Sequence, residues 1–310
     1  MLNFFRDRIK FIIDLGTSRN CEWQVAIRYR ERGLLLEGNN NPFYLIRNNR
    51  RYWYADPFLF HYQDIDYLFV EMYDRKTKKG SIGYGVLNGM KCSKIKKCLE
   101  TSFHLSYPCI YKDNNNIFMI PESYQNGKVV IYKCVHFPDK WEKDKTLLNE
   151  IAVDTTPFDI KGVKGYFTTI FEGVDKKFNN NLYSFINGYK CKLKFDDYTT
   201  RMAGSVFVYN GMYVRPSQIC DKRYGGGIKF FKINQLFPYV EEAVGSILPV
   251  NGSFQFVVNG DVKFWEGLHT YNFNEKYEII DLRYCNRKFS FYKMLKNLNQ
   301  YLKNKKRKSM

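Results

Sequence analysis

The sequence predicts an all-β chain, a five-bladed β-propeller with a short helix at each end. Three observations carry this prediction. Aromatic residues make up 18% of the 310 residues, with 25 Tyr and 26 Phe, and such side chains suit the half-buried faces of pleated strands. Apolar runs joined by polar turns, the signature of β-hairpins, recur along the chain. They recur about every 50 residues with about four strand-like runs per unit, which is the period and content of a propeller blade.

The elements follow in order. Met1–Leu15 sets Leu2, Phe4, Phe5, Ile9, Ile12 and Ile13 among charges, so residues 1–20 are expected to hold an amphipathic helix. The propeller is expected over 21–286. Its first hairpin is Tyr54-Ala-Asp-Pro-Phe-Leu-Phe, a turn at Gln63, and Tyr67-Leu-Phe-Val-Glu71. The second is Ser106-Tyr-Pro-Cys-Ile-Tyr, an Asn-rich turn, and Ile117-Phe-Met-Ile-Pro-Glu122, with Pro108 and Glu122 each 51 residues after Pro57 and Glu71. The third pairs Val153-Asp-Thr-Thr-Pro-Phe158 with Tyr166–Ile170, and the fourth turns at Asn210-Gly211. Ser253–Val258 and Val262–Glu266, joined by Asn259-Gly260-Asp261, are expected to form the fifth. Ser81–Leu87, Val129–Cys134, Leu182–Phe185 and Ile228–Ile233 supply further strands. Residues 287–310 read as a basic amphipathic helix and tail, with Phe291, Leu295, Leu298 and Leu302 at helical spacing.

Composition narrows the function. An aromatic content of 18% excludes a disordered chain, which lacks the apolar surface to offset the entropy of ordering, and no run approaches the roughly 18 apolar residues of a membrane-spanning helix. The net charge of +18 favours anionic partners, and the block Lys303–Lys308 suggests attachment to an anionic membrane surface. A helix packed on the propeller with a solvated tail is the alternative. Eight dispersed cysteines contain no C-x-x-C pair and follow an N-terminus broken by Arg6, Asp7, Arg8 and Lys10. They are expected to be reduced thiols in a cytoplasmic protein, peripheral at the inner face of the cell membrane. No Gly-rich phosphate loop, serine nucleophile elbow or nucleic-acid reader motif stands out. No cofactor, metal cluster or nucleic-acid partner is expected.

In a propeller, equivalent positions of successive blades converge on one axial pocket, so the repeat alignment locates a site. It gathers Asp56, Tyr107 with nearby His104, and Asp154, followed by Arg201 before the fourth hairpin. The second strands add Glu71, Glu122, Arg215 and Gln218, and His269 follows the fifth hairpin. Converging carboxylates suit glycosyl chemistry, which needs one protonated acid and one ionised partner. Asp56 is expected as base or nucleophile, Glu122 as acid and Asp154 as orienting carboxylate. Arg201 and Arg215 suit a phosphate or carboxylate, Trp53 offers a flat face to a sugar ring, and Glu71, His104, Gln218 and His269 complete the expected substrate contacts. The bland alternatives are that Asp56, before Pro57, caps a turn, that Glu71 and Glu122 pair with neighbouring blades, and that His104 and His269 are satisfied interior histidines.

An ordered series of motifs carries a resemblance. It runs through Trp53-Tyr-Ala-Asp-Pro-Phe-Leu-Phe, Lys79-Gly-Ser-Ile82, His104-Leu-Ser-Tyr-Pro108, Met119-Ile-Pro-Glu-Ser123 and Phe137-Pro-Asp-Lys-Trp141. Val153-Asp-Thr-Thr156, Arg201-Met-Ala-Gly204, Arg215-Pro-Ser-Gln218 with Tyr224-Gly225, and Gly267-Leu-His-Thr-Tyr-Asn272 follow. From about 20 to 285 the series resembles the N-terminal propeller domain of the glucosamine inositolphosphorylceramide transferase family, whose bacterial relatives occur in surface-polysaccharide gene clusters. That domain is similar to the five-bladed propellers of glycoside hydrolase families 32, 43 and 68, which use a first-blade Asp as base or nucleophile, a helper Asp and an acidic Glu. Asp56 matches the first of these. Asp154 opens the third blade, Tyr107 stands where a second-blade Asp would, and Glu122 lies within a strand. Plant-type members also carry a separate nucleotide-sugar transferase domain, for which a chain of this length is not expected to have room. The resemblance implies a carbohydrate-active enzyme of cell-surface polysaccharide or glycolipid assembly that transfers a glycosyl unit from a carbohydrate or sugar-phosphate substrate. A furanosidase-like hydrolase and a non-catalytic glycan-binding propeller are the alternatives.

Overall fold

Each expected hairpin closes where the sequence places its turn, and the first four grow into antiparallel sheets that form four blades of a five-bladed propeller. A computed structural model describes residues 12–13, 17–30, 34–38, 41–172, 180–194 and 198–308. Blade one consists of Tyr52–Tyr62, Ile65–Asp74, Lys79–Asn88 and Lys96–Leu99, with Lys91–Cys92 beside them. Blade two is Ser106–Asp113, Asn116–Glu122, Val129–His136 and Lys140–Leu148. Blade three is Ala152–Ile160, Val163–Phe171, Asn180–Ile186 and Tyr189–Lys194. Blade four is Phe207–Tyr209, Met212–Gln218, Ile228–Leu236 and Tyr239–Ile247.

The fifth blade differs from the expectation. Phe254–Val258 and Asp261–Trp265 do pair, but as a separate two-stranded sheet. Phe43 ties them on, donating its N–H to Val257 O (2.7 Å) and accepting that of Asn259 (2.8 Å). The blade itself takes Tyr271–Phe273 and Tyr277–Phe289 from late in the chain and Thr17–Tyr29 and Tyr44–Leu45 from its start. A local hairpin search cannot find this arrangement, because the third strand comes from the other end of the sequence. Its interior holds the buried pair Arg28–Glu278, whose Nε–Oε2 bond is 2.6 Å.

Apolar side chains are sandwiched between adjacent blades. Val25, Ile27 and Ile279 of the fifth blade meet Leu68, Val70 and Met72 of the first. Ile120, Val129 and Ile131 of the second meet Ala152, Ile170 and Phe185 of the third. Phe137, at the outer turn of blade two, lies against the rings of Phe60, Tyr62, Tyr67 and Phe69 of blade one. Burial of these faces is the main favourable contribution to folding.

At the N-terminus the expected helix falls mostly outside the described residues. Ile12 and Ile13 are helical, but a strand begins at Thr17, so the helix does not reach residue 20. The C-terminal helix spans Phe291–Lys308, and starts only there because the preceding strand runs on to Phe289. The expectation of eight reduced thiols is corrected. Cys21 and Cys285 form a disulfide, while the other six cysteines are free. Strands 264 residues apart in sequence bring the two together, a juxtaposition that cysteine spacing cannot show.

The bridge is expected to contribute about 2–4 kcal/mol by constraining the unfolded chain. Peptide mapping of oxidatively folded, unreduced protein should recover the Cys21 and Cys285 peptides joined, and reduction should lower the unfolding midpoint. Alkylation of both thiols without prior reduction would remove the bridge from this account.

Candidate functional site

The axial site begins with a backbone irregularity repeated in three blades. The innermost strands slip register between Ala55 and Phe58, between Ser106 and Cys109, and between Val153 and Thr156. At each slip one non-glycine residue has a left-handed backbone, with φ of 48° at Asp56, 45° at Tyr107 and 52° at Asp154. Such a conformation costs on the order of 1–3 kcal/mol per residue, and a bulge re-aims its side chain. The bulge also releases an N–H from the ladder. Asp56 donates its N–H to Asp281 Oδ2 (3.0 Å), and Tyr107 donates its own to Asp56 Oδ2 (3.0 Å). The carboxylate of one blade thus caps the bulge of the next.

Asp281 is the centre of the first cluster. It is fully buried, and its Oδ1 accepts the N–H groups of His269 (3.1 Å) and Thr270 (2.9 Å). Its Oδ2 lies 2.6 Å from His269 Nδ1. The opposite ring nitrogen, Nε2, stands 3.5 Å from Asp56 Oδ1, which also accepts the Thr270 hydroxyl at 3.0 Å. Trp23 lies flat on the imidazole at 3.8 Å, and Tyr224 meets it edge-on. Gly225 is required beneath this stack, since a Cβ there would come within 2.7 Å of the Trp23 ring. Burial raises the Asp56 carboxyl to about 7, His269 opposes the rise, and Glu71, Asp281 and Asp154 reinforce it. For His269 burial works against the charged ring, but Asp281 and Asp56 outweigh it and its pKa rises. Asp56, His269 and Asp281 bring ligand-type atoms within 4.8 Å of one another. Four hydrogen bonds already occupy Asp281, so a cation would have to displace its contact with His269.

The second cluster joins blades two, three and four. Arg201 donates Nε to Asp154 Oδ2 (2.6 Å) and reaches Glu122 Oε2 through its terminal nitrogen (3.4 Å). Gln218 braces Asp154 with Nε2, 3.3 Å from Oδ2 and 2.8 Å from Met202 O. Burial and the Asp154 charge push Glu122 well above the carboxylate range, against the pull of Arg201. The Glu122 side chain and that of Arg201 keep 15% and 16% exposure, so the cluster is recessed, not sealed. Tyr224, 42% exposed, lies beside the Arg201 guanidinium.

His104 and Glu71 make a third pair, 3.2 Å apart. The Gly80 N–H occupies His104 Nδ1 at 3.0 Å, which leaves Nε2 to donate to Glu71. Trp53 stacks on Tyr73 at 4.4 Å, and the Tyr73 ring neighbours His104.

Nine of the ten expected site residues thus fall into these three clusters. Arg215 takes no part in them. It is fully buried within blade four, where Glu241 holds its Nε and a terminal nitrogen at 2.8 Å each. Burial disfavours the Glu241 carboxylate, but Arg215 and Lys194 overcome this and hold it down at about 2. The guanidinium expected to bind substrate is a strut between strands. Sequence reasoning missed Asp281, Thr270, Trp23 and the stacking role of Tyr224. Asp281 did leave a signal, as the acid interrupting the apolar run Ile279-Ile280-Asp281-Leu282.

Residues 47–277 match the family described as "Glucosamine inositolphosphorylceramide transferase 1, N-terminal". Over 195 residues the chain is 31% identical to glucosamine inositolphosphorylceramide transferase 1 of Arabidopsis thaliana, and 28% identical to that of Oryza sativa subsp. indica. Each match covers 59% of this chain and 26% of the relative, so the chain spans about a quarter of the curated relatives' length. Its fold is similar to a GH43_1 enzyme from Xanthomonas citri complexed with xylotriose, with a TM-score of 0.53 and 10% identity over 78% of this chain and 88% of that one. It is also similar to the catalytic domain of a GH62 α-L-arabinofuranosidase from Coprinopsis cinerea, with a TM-score of 0.52 and 10% identity over 76% and 92%.

The two buried aspartates should respond differently to amidation. Asp281→Asn must turn an NH2 toward backbone N–H donors and should cost about 3–5 kcal/mol. In Asp56→Asn the amide oxygen can take the Tyr107 N–H while its NH2 faces the Thr270 hydroxyl, so the change should cost under about 1 kcal/mol. With its folded pKa raised to about 7, Asp56 weakens the fold as pH climbs toward and through that value, so the variant should gain on wild type between about pH 5 and pH 8. Denaturant unfolding at both pH values measures this, and an Asp281→Asn protein as stable as wild type would exclude the capping role.

Proposed function

The chain belongs to the glucosamine inositolphosphorylceramide transferase 1 N-terminal family, and on that premise we propose that its axial site binds a sugar and acts on its glycosidic bond during sugar transfer involving a lipid-linked substrate. One observation carries this reading, namely that Asp56 and Glu122 are buried carboxyls near enough for the Asp56 charge to act on Glu122, with Asp56 raised to about 7 and Glu122 pushed well above its ordinary range. Asp56 titrates near 7, within reach of a base working at neutral pH. Glu122 holds its proton well above the ordinary range. Two carboxyl groups pushed apart in this way are what acid–base glycosyl chemistry uses.

In the proposed step Glu122 gives its proton to the departing glycosidic oxygen as the bond to the anomeric carbon breaks. Asp56 takes a proton from the acceptor hydroxyl as that oxygen bonds to the same carbon. Arg201 keeps Asp154 and Glu122 in place and presents cationic charge to an anionic group on the substrate. His269, held by Asp281 and by the Trp23 face, stands beside Asp56 and steadies its ionised form. Trp53 and the rim residues His104 and Tyr224 offer ring faces and a polar edge to a sugar. A second reading, non-catalytic sugar binding, draws on the quarter-length match to the plant relatives, which leaves the remainder of those proteins for the chemistry.

Turnover of p-nitrophenyl glycosides, with and without an inositol phospholipid acceptor, tests the two readings together with calorimetric binding of the same sugars. Catalysis should show a rate rising through about pH 7 as Asp56 ionises and falling where Glu122 loses its proton. Asp56→Asn and Glu122→Gln should each reduce the rate by roughly 10²–10⁴-fold, and Asp56→Asn should lose the acidic limb. Sugar binding that survives both substitutions with no turnover in wild type would select the binding role. Release to water alone, unaffected by acceptor, would indicate hydrolysis.

A further inference from the structure

Outside the axial site, the C-terminal helix combines two features, an unopposed positive charge and an apolar stripe. Along Phe291–Lys308 the sequence carries seven Lys and Arg residues and no Asp or Glu. Phe291, Leu295, Leu298 and Leu302, spaced at i, i+4, i+7 and i+11, share one face. Three of the four are exposed, Phe291 at 64%, Leu295 at 44% and Leu302 at 48%, with Leu298 half-buried, and the adjacent Tyr292 is 78% exposed.

The helix also has a firm base. Ser290 caps its start, its Oγ accepting the Lys293 N–H at 3.4 Å and its carbonyl accepting that of Met294 at 3.0 Å. Lys293 Nζ bonds Thr17 O at 3.2 Å, and the Cys21–Cys285 bridge crosslinks the strands leading to it. No helix among the described residues is long and apolar enough to cross a membrane.

We infer that this helix docks the protein on an anionic lipid surface, its apolar stripe entering the acyl boundary and its lysines facing the headgroups. Charge complementarity makes the choice of partner. A polyanion such as nucleic acid would use the cations and leave the leucine stripe in water. An apolar protein groove without acidic residues would use the stripe and gain nothing from seven cations unopposed by any acid. A negatively charged bilayer rewards both. The inference rests on residues outside the axial site and stands whether that site transfers, hydrolyses or only binds a sugar.

Cosedimentation of the full chain with vesicles tests it. Vesicles of phosphatidylcholine with about 30% phosphatidylglycerol should bind the protein, pure phosphatidylcholine should not, and raising salt to about 0.5 M should weaken binding about tenfold. Lys296→Glu with Lys303→Glu, and separately Leu295→Asp with Leu302→Asp, should each lose about tenfold in affinity with the circular dichroism of the strands unchanged. In Phe291→Trp, emission should shift to shorter wavelength with anionic vesicles only. Asp56→Asn should bind vesicles as wild type does, which separates failure of this inference from failure of the sugar-site reading. Absence of vesicle binding, equal binding to both vesicle types, or binding that survives the leucine changes and is competed equally by duplex DNA would overturn it.

Discussion

The site depends on a carboxylate in one blade receiving the bulge N–H of the next. Asp281 of the fifth blade takes the N–H of Asp56, and Asp56 of the first takes that of Tyr107. Each bond satisfies a donor that the bulge removed from the strand ladder, and each offsets part of the cost of a left-handed non-glycine residue. The same bonds fix the side chains that point to the axis, because a bulged residue whose N–H is anchored cannot swing back into register. Local strain and site geometry are thus two aspects of one contact. A blade held this way is positioned by its neighbour's acid as well as by the apolar sandwich between sheets.

This arrangement explains how a chain of net charge +18 keeps an acidic interior. Asp56, Glu71, Glu122, Asp154 and Asp281 surround the axis, where Arg201, His104 and His269 supply too little positive charge to match five ionised acids. Burial magnifies their mutual repulsion. The cluster responds by differentiating its members. Asp281 is satisfied entirely by donors, Asp154 is held by Arg201 and Gln218, and Glu122, lying next to Asp154, is pushed well above the carboxylate range. Asp56 has donors on both oxygens and is nevertheless raised to about 7 by burial. The surplus of surface cations plays no part in this, since screening removes them from an axial site beyond roughly 10 Å.

Much of this was legible in the sequence for a definite reason. Repeats expose positions, and in a ring equivalent positions meet, so Asp56, Tyr107 and Asp154 could be brought to one axis without any knowledge of side-chain contacts. What stayed hidden is what breaks the repeat. The fifth blade borrows Thr17–Tyr29 from the opposite end of the chain, so neither Trp23 beneath His269 nor the Cys21–Cys285 bridge follows from a local pattern. Arg215 misled for the complementary reason. Its position in the hairpin suited substrate binding, but Glu241, two strands away in the same blade, claims the guanidinium. Residue type and register identify which groups are available. They do not reveal which of those groups already have an internal partner.

Tyr107 shows how one departure from the acidic pattern shapes the rest. It occupies the second-blade position equivalent to Asp56 and Asp154, yet brings a phenol that burial keeps neutral. Its hydroxyl lies 2.9 Å from Thr156 Oγ1 and accepts the Gly204 N–H at 3.0 Å, linking blades two, three and four. Gly204 has to be glycine for this, since a Cβ would fall 2.1 Å from Tyr271 O. A carboxylate at position 107 would be too short to make these contacts and would add a sixth acid between Asp56 and Asp154. With a neutral ring there instead, the axis divides into a half built on Asp281, His269 and Asp56 and a half built on Glu122, Asp154 and Arg201. In the first half burial raises Asp56 to about 7 against the pull of His269, and in the second burial and the Asp154 charge raise Glu122 against the pull of Arg201.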